Sequence, residues 1–179
     1  MISAGTLRRW KNEQQIIIAA DVTDQANDVR QTIPLMNQTI ANLDDAGGTQ
    51  NINAFTADAG YFSEANMKSL DSNERIDEVF IATGRQQHNA PVPDSPKGRP
   101  PNNLTAKPKM ARRNRTQKGK EEYARRKVII EPVFGLIKSG PGFRNFLLRG
   151  LEKMTGEWKL VCLVDNLLKL STSGPLITS

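Results

Sequence analysis

"NINAFTADAGYFSEANMKSL" (residues 51–70) passes from one kind of periodicity to another within twenty residues. Ile52, Ala54 and Thr56 alternate with Asn53, Phe55 and Ala57, the two-residue period of a strand. From Ser63 the pattern turns helical. Ser63 is placed to cap a short helix over 63–73, with Glu64 and Asn66 in its first turn. Between the two lies Asp58, on a turn of small residues with Tyr61 behind it. Two readings of Asp58 are open. Aspartate is a common turn and cap residue. A carboxylate at a strand end is also where α/β sheets place their chemistry.

Working outward, "QQIIIAADVTD" (14–24) is a β-branched run that predicts a buried strand. Residues 26–48 carry Val29, Ile33, Met36, Ile40 and Leu43 at helical spacing, and Gly47-Gly48 ends them. Pro34 lies inside that pattern and predicts either a kink or a late helix start. "DEVFIAT" (77–83) predicts a third strand. The order strand, helix, strand, helix, strand argues for an α/β sheet with helices on its faces. Three strands make a thin sheet.

The texture then changes. Residues 84–117 are rich in Pro, Asn, Lys and Arg and predict an extended loop or insertion. A connection this long inside a domain is often functional. From about residue 116 the pattern is helical again, through "YARRKVIIEPVFGLIK" (123–138). "TGEWKLVCLVDNLLKLS" (155–171) predicts a last helix, with Thr155 as its cap. Trp158, Val161, Cys162, Val164, Leu167 and Leu168 are its expected apolar face. The tail after residue 170 should fray.

Composition narrows the function. The 179 residues carry a net charge of +6, with a mean hydropathy of −0.51. Residues 97–127 hold twelve Lys or Arg against two Glu, so the rest of the chain is net acidic. Basicity confined to one stretch points to a polyanion, because each phosphate neutralised releases counterions. A solvated loop is the plainer alternative. The single cysteine excludes an internal disulfide and a cysteine-rich zinc site. No run reaches the roughly 20 apolar residues of a membrane span. The opening residues lack the apolar run of a secretory signal. The expectation is a soluble cytoplasmic protein with no membrane partner, at the nucleoid when bound to DNA.

Glu131 interrupts the apolar run "VIIEPVF", where a charge is costly unless exposed or paired. Arg125, Arg126 and Lys127 are near enough in sequence to pair with it. Pro132 pushes Glu131 out of helical geometry, so a helix kinks or begins there. Two acids far apart in sequence are what a two-metal phosphoryl-transfer site requires. His88 is the only histidine, in a predicted loop, and Cys162 reads as core. "GFRNFLLRG" (142–150) reads equally as a DNA-facing edge or as a core turn with solvated arginines.

Four segments carry a resemblance. "ADAGYFSEANM" (57–67), "FIATGRQQH" (80–88), residues 123–150 and "GEWKLVCLVDNLLKL" (156–170) resemble the C-terminal part of bacterial insertion-sequence transposases with an Asp-Asp-Glu active site. The resemblance implies an α/β, ribonuclease H-like (integrase-like) catalytic domain over 14–170. Residues 84–115 would be a long basic insertion before the C-terminal helices, 1–13 an unrelated or frame-shifted leader, and 171–179 a tail. It implies that Asp58 and Glu131 are the second and third catalytic, metal-binding acids, sharing Mg²⁺ or Mn²⁺. Tyr123, Arg126 and Lys138 are the nearest matches to residues flanking the Glu. Tyr123 and Arg126 each lie one position further from it than in the familiar signature. With Arg112, Arg113, Arg115 and Lys118 they are the expected contacts to DNA.

The family's first Asp belongs to an earlier strand, which residues 1–13 do not resemble. Asp21, Asp24 and Asp28 are the acids near that place, Asp21 the best of them because it follows a predicted strand. A solvent-exposed acid is the stronger reading of Asp21. The expectation is therefore a truncated, incomplete transposase whose parent cleaves transposon ends and transfers strands to target DNA, and which is not competent alone. Self-association, or association with full-length transposase, would fit such a fragment. The alternative is a non-enzymatic DNA-binding fragment or transposition inhibitor.

Overall fold

A computed structural model describes residues 15–84, 95–98, 100–101, 103–125, 137 and 143–172. Its architecture is mixed helix with a small parallel sheet. Strand β1 (Phe55–Ala57) pairs with strand β2 (Val79–Ile81) in parallel, Phe55 opposite Val79 and Ala57 opposite Ile81. An isolated bridge between Ile52 and Ile76 extends the pairing upstream. Both strands fall inside the stretches expected to form strands, 51–58 and 77–83, and both are shorter.

Helix α1 (Thr32–Asp45) follows a 3-10 turn at Asp28–Gln31. Pro34 is its third residue, where a missing N–H costs nothing because first-turn donors have no partner within the helix. Proline thus marks a late start rather than a kink. Helix α2 (Glu64–Asp71) is capped as expected, the Ser63 hydroxyl accepting from Asn66 N at 3.0 Å. Met36 and Leu43 from α1, and Met67 and Leu70 from α2, close over the sheet as one apolar core.

The basic stretch is not all loop. Helix α3 (Ala106–Asn114) forms within residues expected to be extended, and residues 117–125 form a further helix, α4. Pro108 again occupies a third helical position. The anchor of α3 is Met110, 0% exposed. Around it, α3 seals the outer edge of β2. Ile81 N donates to Met110 Sδ at 3.4 Å, Asn114 Nδ2 to Ile81 O at 2.8 Å, and Arg113 to Val79 O at 3.0 Å. Side chains thus satisfy backbone groups that a third strand would otherwise take. Gly119 lets α4 turn back across α3, since a Cβ there would collide with the Arg113 carbonyl.

The expected first strand is absent as such: residues 15–20 carry no ladder among the described residues. Their backbone is held by side chains instead. Asn166 accepts from Ile17 N at 2.8 Å and donates to Ile17 O at 2.7 Å, as a neighbouring strand would. Lys169 donates to Gln15 O at 2.7 Å, and Asn42 to Ile18 O at 2.7 Å.

Asn166 and Lys169 belong to helix α5 (Leu151–Thr172). It begins a turn earlier than expected, so Thr155 lies inside it and caps nothing. Its buried residues are Trp158, Cys162 and Asp165, while Val164, Leu167 and Leu168 are exposed, contrary to the expected apolar face. Trp158 and Cys162 form a second core with Ile17, Ala20 and Ile137. Phe143 and Phe146 pack on the Trp158 ring at 5.7 and 6.5 Å between centroids. Glu157 accepts from Leu147 N at 2.9 Å and Leu148 N at 3.0 Å. Residues 143–150 thus pack on α5 through Phe143 and Phe146, while Arg144, Leu147, Leu148 and Arg149 are exposed. Among the described residues no helix is long and apolar enough to cross a membrane.

Candidate functional site

Asp58 is the first residue past the carboxyl end of β1. It is exposed, and its extended backbone (φ −72°, ψ 165°) opens a 3-10 turn at Ala59–Tyr61. Its side chain makes no capping hydrogen bond to that turn. The placement is the one the alternation predicts.

Asp28 approaches the same turn from the 3-10 turn that precedes α1. Its Oδ2 lies 3.3 Å from where a Cβ on Gly60 would sit, so any larger residue at 60 would press on that carboxylate. The phenol of Tyr61 is pushed from its ordinary value of 10.0 up to about 12, by burial first, then by the charges of Asp28 and Asp58. Of Asp21, Asp24 and Asp28, the acids weighed for the place of the first Asp, Asp28 lies against the Asp58 turn. Asp21 is exposed and accepts from the next residue's N–H, Val22, at 2.9 Å.

The raised Tyr61 pKa has a stability consequence. The folded chain holds that proton up to about pH 12, whereas the unfolded chain releases it near 10. Stability from the protonated phenol is complete below pH 10 and is lost as pH rises through 12. The full loss is about 2–3 kcal/mol. Urea unfolding at pH 9.5 to 12 should show it, and Tyr61→Phe should flatten the upper part of the curve. Cys162, pushed up to about 11 by burial and Asp165, adds its own fall at somewhat lower pH.

The basic candidates fall into two groups. Arg112 donates to the carbonyls of Lys97 (2.8 Å) and Gly98 (2.9 Å). Arg113 forks onto Asp71 at 2.8 and 3.3 Å, and Lys118 pairs with Glu78 at 2.8 Å. Arg113 ties α3 to α2 and the sheet, Lys118 ties α4 to Glu78 beside β2, and Arg112 ties α3 to the segment at 97–98. Arg115, at the end of α3, is exposed, as are Lys107 and Lys109 on its first turns, Lys109 lying 4.0 Å from Asp71. Tyr123 is half-buried on α4. Glu131, Arg126, Lys138 and His88 lie outside the described residues.

Sequence reasoning passed over Asn66 and Thr32, both buried beside the Asp58 turn. The signal was available: Thr32 and Asn66 are polar residues at positions where α1 and α2 turn toward the core.

An exposed carboxylate thus follows β1 of the small parallel sheet, whose other strand, β2, is braced by the basic helix α3. Residues 100–171 match the family model described as Transposase DDE domain, consistent with part of a DDE transposase. That match takes in Glu131 and every DNA-directed candidate, while Asp58 lies upstream of it. No curated protein and no solved structure matches the chain.

Proposed function

We propose that this chain carries part of the catalytic centre of an insertion-sequence DDE transposase, with a ribonuclease H-like fold. The family match over residues 100–171 carries this reading. The exposed Asp58 at the end of β1 supports it from the upstream side. In this reading Asp58 and Glu131 are two of three metal-binding acids and DNA is the partner. Exposed Lys107, Lys109 and Arg115 grip the phosphate backbone without reading bases. Arg113 and Lys118 act first as braces that hold the basic helices against the sheet, and Arg112 as one that holds the 97–98 segment to α3.

The family works with a divalent metal, here Mg²⁺ or Mn²⁺, which activates the attacking oxygen and stabilises the leaving one. Asp58 fits as a hard oxygen donor. Among the described residues no group of three or more His, Cys, Asp or Glu converges to hold an ion. In this reading the site is completed by Glu131 and a further acid. We assign the further acid to another segment, of a longer polypeptide or of a second chain, and expect no strand transfer by these 179 residues alone.

The test is a gel assay with transposon-end and target DNA in Mg²⁺ and Mn²⁺, run beside a salt titration of binding. We expect DNA binding whose logarithm falls with log salt, and no joined product. Arg115→Gln should reduce that slope by about 0.9 without changing thermal stability. Joined product that disappears in Asp58→Ala would keep the chemistry and overturn the incompleteness. Binding that survives Asp58→Ala and Glu131→Ala, with no cleavage in any metal even when full-length transposase is added, would favour a DNA-binding fragment. No binding at low salt would overturn both.

A further inference from the structure

We propose that Asn66 is a positioning residue for Asp58, acting through the carbonyl of Tyr61; this rests on the reading of Asp58 as a metal-binding acid. Asn66 is 8% exposed on α2, and Thr32 is 2% exposed at the start of α1. The Asn66 amide nitrogen reaches Val29 O at 2.7 Å, Thr32 Oγ1 at 2.9 Å and Tyr61 O at 3.1 Å. Two carbonyls among the three acceptors fix which way the amide faces. The Thr32 hydroxyl also lies 3.3 Å from Tyr61 O and 3.1 Å from Val29 O. One carbonyl of the turn is thus held from two helices at once.

The grip reaches Asp58 in one step. Tyr61 N donates to Asp58 O at 3.1 Å, closing the 3-10 turn. A three-residue turn has little rigidity of its own, and a metal-binding carboxylate must be held to within about 0.5 Å. Asn66 is not needed to cap α2, since Ser63 does that through the backbone N–H of Asn66. Its side chain is left for the tertiary contact. A leucine there would fill the space and leave the carbonyls of Val29 and Tyr61 short of a buried donor. Asp28 against Gly60 walls the turn on another side.

The experiment compares full-length wild type with Asn66→Leu and the milder, near-isosteric Thr32→Val by NMR. The first readout is amide hydrogen exchange. Both variants should speed exchange of Tyr61 and Phe62 about tenfold, while the Phe80 and Ile81 amides keep wild-type rates. The second is Mn²⁺ titration, which should broaden the Ala59 and Gly60 amides in wild type. That broadening should weaken several-fold in both variants and vanish in Asp58→Asn. Unchanged Tyr61 exchange, or acceleration spread evenly over the chain in both variants, overturns the positioning role. Broadening at Ala59 and Gly60 that stays at wild-type strength in both variants overturns it as well. If Mn²⁺ leaves these amides sharp in wild type, the metal reading of Asp58 fails. The exchange data then decide alone whether Asn66 holds the turn.

Discussion

Lys169→Met is expected to destabilise the chain by about 3–5 kcal/mol. Lys169 and Asp165 form an ion pair one helical turn apart on α5, with side chains only 10% and 5% exposed. The Lys169 ammonium also donates to Gln15 O. Removing it leaves a buried carboxylate uncompensated and a backbone carbonyl without that donor. An exposed pair would be worth no more than about 1 kcal/mol. The double variant Asp165→Leu, Lys169→Met removes both charges together and should recover most of the loss, as buried pairs replaced by apolar groups commonly do. Urea unfolding of the three proteins measures this. A single-variant cost near that of a surface pair would show that water reaches the site. The effect bears on the N-terminal described segment, because residues 15–20 are held to α5 by Lys169 and Asn166.

Met110→Ala should cost about 2–5 kcal/mol. The side chain is fully buried between α3 and the sheet, and its sulfur is the acceptor for Ile81 N. Truncation opens a cavity and strips that N–H of its partner in one change. Met110→Leu restores most of the volume but not the acceptor, and should cost less than the alanine variant. Shape alone would put it below about 1.5 kcal/mol. The urea midpoint, with the slope checked for constancy, separates the two contributions. Equal costs for Ala and Leu would assign the whole effect to the sulfur contact.

Much of the Asp58 region was legible because its signals are local. Alternation over 51–58, the small-residue turn and Ser63 each act within a few residues, and the structure places each where the pattern puts it. The failures are tertiary. Ile16 to Ile18 have the β-branched composition of a strand, but the backbone of Ile17 and Ile18 is held by the side chains of Asn166 and Asn42, and that of Gln15 by Lys169. Helix α3 hid in a proline- and lysine-rich stretch because it docks through one methionine. The leucines of α5 dominated its pattern, yet the contacts with residues 15–20 and with Phe143 and Phe146 select Trp158, Cys162 and Asp165. The core-facing positions of Asn66 and Thr32 could be read from helical spacing, but their role depends on partners that only the folded chain brings together. Here those partners lie up to 37 residues away.

The sealed edge of β2 gives the sheet a direction of growth. The ladder bonds from Phe55 N to Glu78 O and from Ala82 N to Ala57 O use residues 78 and 82 of the inner edge. The backbone groups of Val79 and Ile81 point the other way, into Arg113, Met110 and Asn114. No strand can be added on that side without dislodging α3. Any further strand must enter alongside β1, about 4.8 Å from it. A parallel newcomer of matching length would bring its carboxyl end beside Asp58, so the basic helix that braces the sheet also fixes the flank on which the sheet can grow.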